Sequence, residues 1–387
     1  MKDRKMKRSI SVVAVLGTLA GTAGAQTTIS VYGSVDLAVR HQTNVVAPPD
    51  LGTPVGSATA MVTGYDYINH LGFRGVEDLG GGWNARFNLV AGFVPDTGSL
   101  DNAAGRLFNR NATVGLGGPW GMVDIGHQYS AGYRTMAPYE ALSAKLPAVN
   151  PTVFLAPGGT TPGCRPITAG ACARFDNDIQ YTGVFGGLTL RAEYAFGEAP
   201  GSDTTGSAVG IGVNYTKGPF LIGATYTKQK AGAAIPPNPP AFPNYPGIAR
   251  DADKTDYSFG GAYNRGPWRL AVGYAVHKAD TIGGDTTIKG RWTGVTYNFS
   301  PAFSLAGAYY QVKLSTVALP VFRPDGKEKV DAGFLVARYA LSKRTSLYAE
   351  IDRNNWSNGA NFARKANAAE GLGVTQDGIS IGITHLF

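Results

Sequence analysis

The sequence predicts an all-β chain, a 16-stranded antiparallel transmembrane β-barrel, and three observations carry that reading. The first is a repeated hairpin. Tyr215-Thr-Lys-Gly-Pro-Phe-Leu-Ile-Gly-Ala-Thr-Tyr226 parallels Tyr263-Asn-Arg-Gly-Pro-Trp-Arg-Leu-Ala-Val-Gly-Tyr274. Tyr297–Tyr309 is one residue longer, and Tyr339–Tyr348 is a shorter variant. Each unit has apolar residues on one face, small or polar ones on the other, and aromatics beside its turn, the pattern of a barrel with a wet interior. The second observation is the count: sixteen alternating segments lie between turn signals. The third is that short and long connections alternate strictly.

In order, the predicted strands are 27–40, 65–76, 82–94, 107–116, 120–129, 175–183, 186–196 and 206–216. The second half supplies 218–229, 255–264, 266–277, 288–299, 301–314, 330–341, 344–355 and 376–387. Short turns fall at Asp78–Gly81, Gly117–Pro119, Gly183–Gly187, Lys217–Pro219, Arg265–Gly266, Phe299–Ala302 and Leu341–Lys343. Long loops fall at 41–64, 95–106, 130–174, 197–205, 230–254, 278–287, 315–329 and 356–375. Short periplasmic turns and long extracellular loops are how an outer-membrane barrel sorts its connections. Loop 230–254, with Pro236, Pro237, Pro239, Pro240, Pro243 and Pro246, reads as extended exposed chain.

Facing follows from the period of two along a strand. Ile29, Val31, Val35, Leu37 and Val39 share one face; Ser30, Tyr32, Ser34, Asp36 and Arg40 share the other. Ile379, Ile381 and Ile383 oppose Gly378, Ser380, Gly382 and Thr384. Trp268, Leu270, Val272, Tyr274 and Val276 oppose Arg269, Ala271, Gly273 and Ala275. Segments 107–116 and 301–314 read ambiguously.

Composition agrees. Gly is 53 of 387 residues, about twice ordinary usage, and charged residues are 16% against the usual ~25%. Residues 1–25 read as a secretory signal peptide: five cations before a short apolar run, Ile10–Leu19, then Ala23-Gly-Ala25. They leave 26–387 as one barrel domain. They also hold +4 of the +8 net charge, which removes most support for a nucleic-acid partner. Cys164 and Cys172 stand eight apart in an exported chain and read as one local disulfide, with two free thiols the alternative. No His, Cys or carboxylate cluster has metal-ligand spacing, so no metal or other cofactor is expected. Gly378-Ile-Ser-Ile-Gly382 matches a serine-hydrolase pattern, but that motif needs a strand–turn–helix setting and here lies inside a strand. No enzyme is read from it.

Several segments resemble the Gram-negative general porins. They are Phe73-Arg-Gly-Val-Glu-Asp-Leu-Gly-Gly-Gly82, Leu107–Leu116 with Gly121–Gln128, Arg174-Phe-Asp-Asn-Asp-Ile-Gln-Tyr181, Tyr339–Tyr348 and the closing His385-Leu-Phe387. The resemblance implies a homotrimer of 16-stranded, water-filled barrels in the outer membrane, among lipid and lipopolysaccharide. It implies passive diffusion of small hydrophilic solutes and ions, and a terminal Phe387 read by the outer-membrane assembly machinery. It also implies that the third long loop, 130–174, folds inward as a constriction opposite a ladder of basic residues. Arg74, Arg110 and Arg174 match ladder positions, while parity puts Arg40, Arg74 and Arg86 on the lumen. His70 and His127 stand where the family often has Arg, so protonation as pH falls through ~6.5 would add positive charge. The loop carries one acid, Glu140, against Arg134, Lys145, Arg165 and Arg174. A positive ring at the narrowest point favours anions. The bland alternative is that these arginines pair with acids such as Asp36, Glu193 and Asp352, or meet a neighbouring subunit. A substrate-specific channel with a track of Tyr129, Tyr133 and Tyr139 is the second functional reading, and a barrel adhesin or enzyme the third.

Overall fold

The computed structural model describes residues 28–45, 56–102, 105–145, 173–232, 253–281, 284–316, 328–357 and 374–387. Residues 1–25, read above as a signal peptide, and both cysteines lie outside them.

Sixteen antiparallel strands close into a barrel. They are β1 Thr28–Val45, β2 Gly56–Gly80, β3 Trp83–Val94, β4 Asn111–Gly118, β5 Gly121–Tyr129, β6 Arg174–Phe185, β7 Leu188–Ala195 and β8 Ala208–Lys217. The circuit continues with β9 Phe220–Gln229, β10 Lys254–Arg265, β11 Trp268–Thr281, β12 Gly284–Asn298, β13 Phe303–Thr316, β14 Glu328–Ala340, β15 Thr345–Ser357 and β16 Val374–Leu386. β1 pairs with β16 on one side and β2 on the other, which closes the sheet and leaves no edge. β2 breaks at residues 64–69 between its two ladders, Gly56–Thr63 and His70–Gly80. The break has local causes: Gly64 sits at φ 66°, and Tyr65 N–H donates to the buried Asp36 carboxylate (2.7 Å).

The facing is the one alternation predicts. Ile381 is 66% exposed on the outside while its neighbour Ser380 is 0% exposed inside. Val276 departs: it keeps the outward parity yet is buried. The ambiguous segments also resolve. In β4, Val114 and Leu116 face out while Asn111 and Thr113 face in. In β13 the lumen face carries Ala306, Tyr310 and Val312, apolar because a loop covers it, so both faces look alike in sequence.

Two forecast loops are shorter than expected. His41 and Gln42 pair with Thr59 and Ala58, and Thr281 pairs with Gly284, so these hairpins extend past the predicted strand ends. Above the membrane a ladder hydrogen bond still satisfies each backbone group, and the strands keep pairing until the chain must turn. The predicted start of β4 moves the other way, from 107 to Asn111, because Asn109 and Arg110 both turn toward Asp101.

The short-turn end carries an aromatic belt. Trp268 packs on Tyr297 at 4.5 Å, Tyr297 on Phe299 at 4.7 Å, and Trp120 stacks on Tyr181 and meets Trp83 at a tilt, 5.9 Å from each. Such rings sit where hydrocarbon meets headgroup.

Candidate functional site

After β5 the chain turns into the barrel. Ser130 caps a short helix, α1 (Ala131–Met136), by accepting from Tyr133 N–H at 3.1 Å; a 3-10 turn, Ala137–Tyr139, follows. Ala131 N–H donates to Glu193 (2.6 Å) and Asn214 donates to the Thr135 carbonyl (3.0 Å), tying the helix to β7 and β8.

The loop then crosses to the opposite wall and is seated there. Arg269 donates to the carbonyls of Ala141 (2.8 Å), Glu140 (2.7 Å) and Pro138 (3.2 Å). Trp292 Nε1 donates to the Tyr139 carbonyl (2.9 Å), and the Tyr139 hydroxyl meets Ser258 Oγ (2.7 Å). Burial pushes the Tyr139 phenol up to about 12, which keeps it neutral. Met136, Tyr139, Ala141 and Leu142 pack with Trp292, Tyr310 and Phe334 into the largest apolar cluster of the described residues.

The wall makes room by lacking side chains. A Cβ on Gly223 or Gly260 would meet the Tyr139 ring, one on Gly212 would meet Thr135, and one on Gly294 would meet Ala141. This stripe of lumen-facing glycines on β8, β9, β10 and β12 accounts for part of the high glycine content.

Glu140 is buried beneath this seat. It accepts from Leu142 N–H (2.9 Å), Ala144 N–H (2.6 Å) and the Tyr310 hydroxyl (2.5 Å). The loop's single acid therefore holds the loop's own backbone and does not face the open lumen.

Between the loop and β1–β4 lies a cavity of about 360 Å³. Its charged lining is Arg110, Arg134 and Lys145 against Asp66, and its rings include Tyr32, His70, Tyr129 and Tyr133. A second cavity of about 480 Å³, toward the short turns, is lined by Arg86, Arg191 and the same Arg134.

Of the residues singled out from sequence, His70 and Arg110 meet at the first cavity and Arg86 lines the second. Arg110 pairs with Asp101 and Arg86 with Asp124. Arg74 stacks over Tyr32, which lines the cavity, at 4.9 Å. Three others are embedded in the wall. Arg40 is 3% exposed and held by Asp352 (2.6 Å) and Glu350 (3.2 Å). Arg174 lies 3.8 Å from the Tyr129 ring and donates to the Arg110 carbonyl. His127 bridges Asp176 (2.6 Å) and the Asn109 carbonyl (2.8 Å). Of the three tyrosines read as a track, Tyr129 and Tyr133 line the cavity as a stacked pair at 4.7 Å, whereas Tyr139 is in the seat.

Sequence reasoning passed over Asp66, Asp101, Arg191 and Arg338. Parity was a usable signal for Arg191 and Arg338, which lie on lumen faces. Asp66 had none, because it sits in the break of β2, where it accepts from Arg338 (2.5 Å) and lies 3.8 Å from Lys145.

Residues 11–359 match the model of the Gram-negative porin family. The chain belongs to that family. It is similar to outer membrane porin protein 32 of Delftia acidovorans, 30% identical over 99% of this chain and all of that one. The fold is similar to an anion-selective porin from Comamonas acidovorans, with a TM-score of 0.74 at 24% identity, covering 94% of this chain and 100% of that one. It is also similar to the OmpT outer membrane protein of Vibrio cholerae in a trimer form, with a TM-score of 0.63 at 14% identity, covering 93% and 99%. Family membership places the porin in the outer membrane as a channel-forming barrel.

The Arg40 cluster of this porin is buried in the wall, and its removal has a defined expected consequence. Arg40→Ala leaves Glu350 and Asp352 buried without their cation, a loss of about 3–5 kcal/mol. The folded band in unheated electrophoresis is expected to disappear at a lower temperature than for the parent barrel. An unchanged transition would show that the cluster contributes nothing.

Proposed function

We propose that the porin is an anion-preferring, passive pore for small hydrophilic solutes, with its filter at the cavity between loop and wall. The observation that carries this is the lining: Arg110, Arg134 and Lys145 face one acid, Asp66. A low-dielectric wall focuses that excess positive charge into the passage. Arg110 and His70 act at the narrowest point, Arg74 and Arg86 on its flanks. Arg40, Arg174, His127 and Glu140 act indirectly, by fixing the wall and the loop. The anion-selective relative supports this reading. The test is the reversal potential of single channels in a salt gradient; a cation-selective parent protein would sink it.

Lys145 gives the preference a pH limit. Burial and the neighbouring Arg338 lower its pKa, with Asp66 partly opposing. A lowered lysine loses its charge at lower pH than a free one. Anion preference is therefore expected to fall as pH rises, starting below the ordinary lysine range, and Lys145→Gln should abolish that decline while lowering the preference at neutral pH.

Residues 26–387 form the barrel, 1–25 direct its export, and 130–174 form the constriction loop. The working unit is a homotrimer, as the trimeric relative supports. Unheated electrophoresis should give a band of about three chains that collapses on boiling; a stable monomer in mild detergent would count against it. Phe387, whose backbone pairs with Gly33 in both directions at 3.1 Å, serves as the assembly signal. Lipopolysaccharide, bilayer lipid and the assembly machinery are its partners, with no nucleic acid and no enzymatic step. A substrate-binding variant of this function is favoured by the ring-rich cavity around Tyr129 and Tyr133; saturation of conductance by one solute class would establish it.

A further inference from the structure

We propose that Glu140 is the positioning residue of the filter: it folds the chain after it into a left-handed bend that aims Lys145 into the passage. The inference rests on the anion-preferring reading above, and it gives the loop's one acid a role opposite in sign to its charge. Ser143 and Ala144 stand at φ 60° and φ 58°, two consecutive left-handed residues that each carry a Cβ. That conformation is costly for such residues and persists only where the surroundings impose it. Glu140 imposes it here. Its Oε2 accepts from Leu142 N–H (2.9 Å) and Ala144 N–H (2.6 Å), and its own carbonyl accepts from Ser143 N–H (3.1 Å). Three successive amides therefore converge on one residue, as backbone does when it wraps an anion. Lys145 N–H closes the bend on the Leu142 carbonyl (3.3 Å).

Glu140 can act as a template because the wall fixes it. It is 1% exposed, its Oε1 accepts from the Tyr310 hydroxyl on β13 (2.5 Å), and Arg269 on β11 holds its carbonyl (2.7 Å). The bend built on it delivers its residues to the cavity, since Ser143, Ala144 and Lys145 all line it. Lys145 Nζ ends 3.8 Å from Asp66 in the break of β2, in a lining shared with Arg110 and Arg134. A right-handed or extended path through residues 143 and 144 would send residue 145 in another direction. The acid thus stays out of the passage and places a cation in it.

Two conservative replacements separate the reach of this acid from its charge. Glu140→Gln keeps an acceptor oxygen at the same reach and loses the charge. Glu140→Asp keeps the charge and falls one methylene short. The reversal potential of each full barrel is measured in a salt gradient over a range of pH. Glu140→Asp is expected to lower the anion-to-cation permeability ratio by about twofold or more, because a unit charge leaves the cavity. The decline of that ratio with rising pH should move up to the ordinary lysine range, ~10.4, where a solvated ammonium titrates. Glu140→Gln should stay near the parent in both respects. Adding Ala144→Gly to Glu140→Asp should restore the parent ratio, because glycine takes the left-handed conformation unaided. Adding Lys145→Gln to Glu140→Asp should lower the ratio no further than Lys145→Gln alone. A raised ratio in Glu140→Gln with a parent-like one in Glu140→Asp would make Glu140 an ordinary filter charge and overturn the proposal. Additive losses in the Glu140→Asp, Lys145→Gln pair would overturn it as well. A cation-preferring parent would sink the pore reading and this assignment together; an anion-preferring parent whose ratio is unmoved by Glu140→Asp would sink the assignment alone.

Discussion

Gly223→Val is expected to open and destabilise the constriction while leaving the barrel intact, since a Cβ there meets only the Tyr139 and Asn214 side chains. The Tyr139 ring is pressed between the positions where Gly223 and Gly260 would carry a Cβ, and it is fully buried. Overpacking of this kind costs about 1–3 kcal/mol. The seat resists with two hydrogen bonds of Tyr139, each worth about 1 kcal/mol. A shift of about 2 kcal/mol moves the balance between seated and unseated loop roughly 30-fold. Single-channel records should show higher conductance with frequent transitions, and the loop should become a protease site. Circular dichroism should stay that of a strand-rich barrel. Gly307→Ala is the control, since its nearest neighbours lie at 3.8 Å and 3.9 Å. Quiet, parent-like traces from Gly223→Val would mean that the loop is not held by this seat.

Arg110→Glu is expected to reverse or abolish the anion preference. The substitution changes the cavity by two charge units and sets a carboxylate beside Asp101 and Asp66. A unit charge about 8 Å from a passing ion is worth roughly 0.5–2 kcal/mol between the dielectric of water and that of a protein surface. The permeability ratio should therefore move by about two- to thirtyfold per unit. The shift should shrink at 1 M salt, where the screening length is ~3 Å. Arg74→Glu should act in the same direction but less, because Arg74 lies outside the cavity lining. An unmoved reversal potential in Arg110→Glu would place the filter elsewhere.

Arg110 could be suspected from its place in Leu107–Leu116, but its partner could not. Asp101 reaches it across a bend that begins β4 late, and nothing in a strand's period of two reports such a bend. Glu140 misleads in the same way. As the loop's one acid it reads as a filter charge, yet three short hydrogen bonds turn it inward. Tyr139 reads as part of a solute track and is instead the loop's anchor.

What the sequence determined alone is everything that depends on near neighbours along the chain: strands, their facing, the sorting of connections and the aromatic belt. These follow from a period of two and from turn residues, both local. The tertiary structure decided which charges meet. Arg40 and Arg86 share a lumen face by parity, but cross-strand register pairs one with Glu350 and Asp352 and the other with Asp124. Closure of the barrel brings residues 310 positions apart into contact, and only there does desolvation decide whether an arginine serves the wall or the passage. The glycine stripe shows the same division: sequence shows many glycines, and the folded loop shows which of them must be glycine.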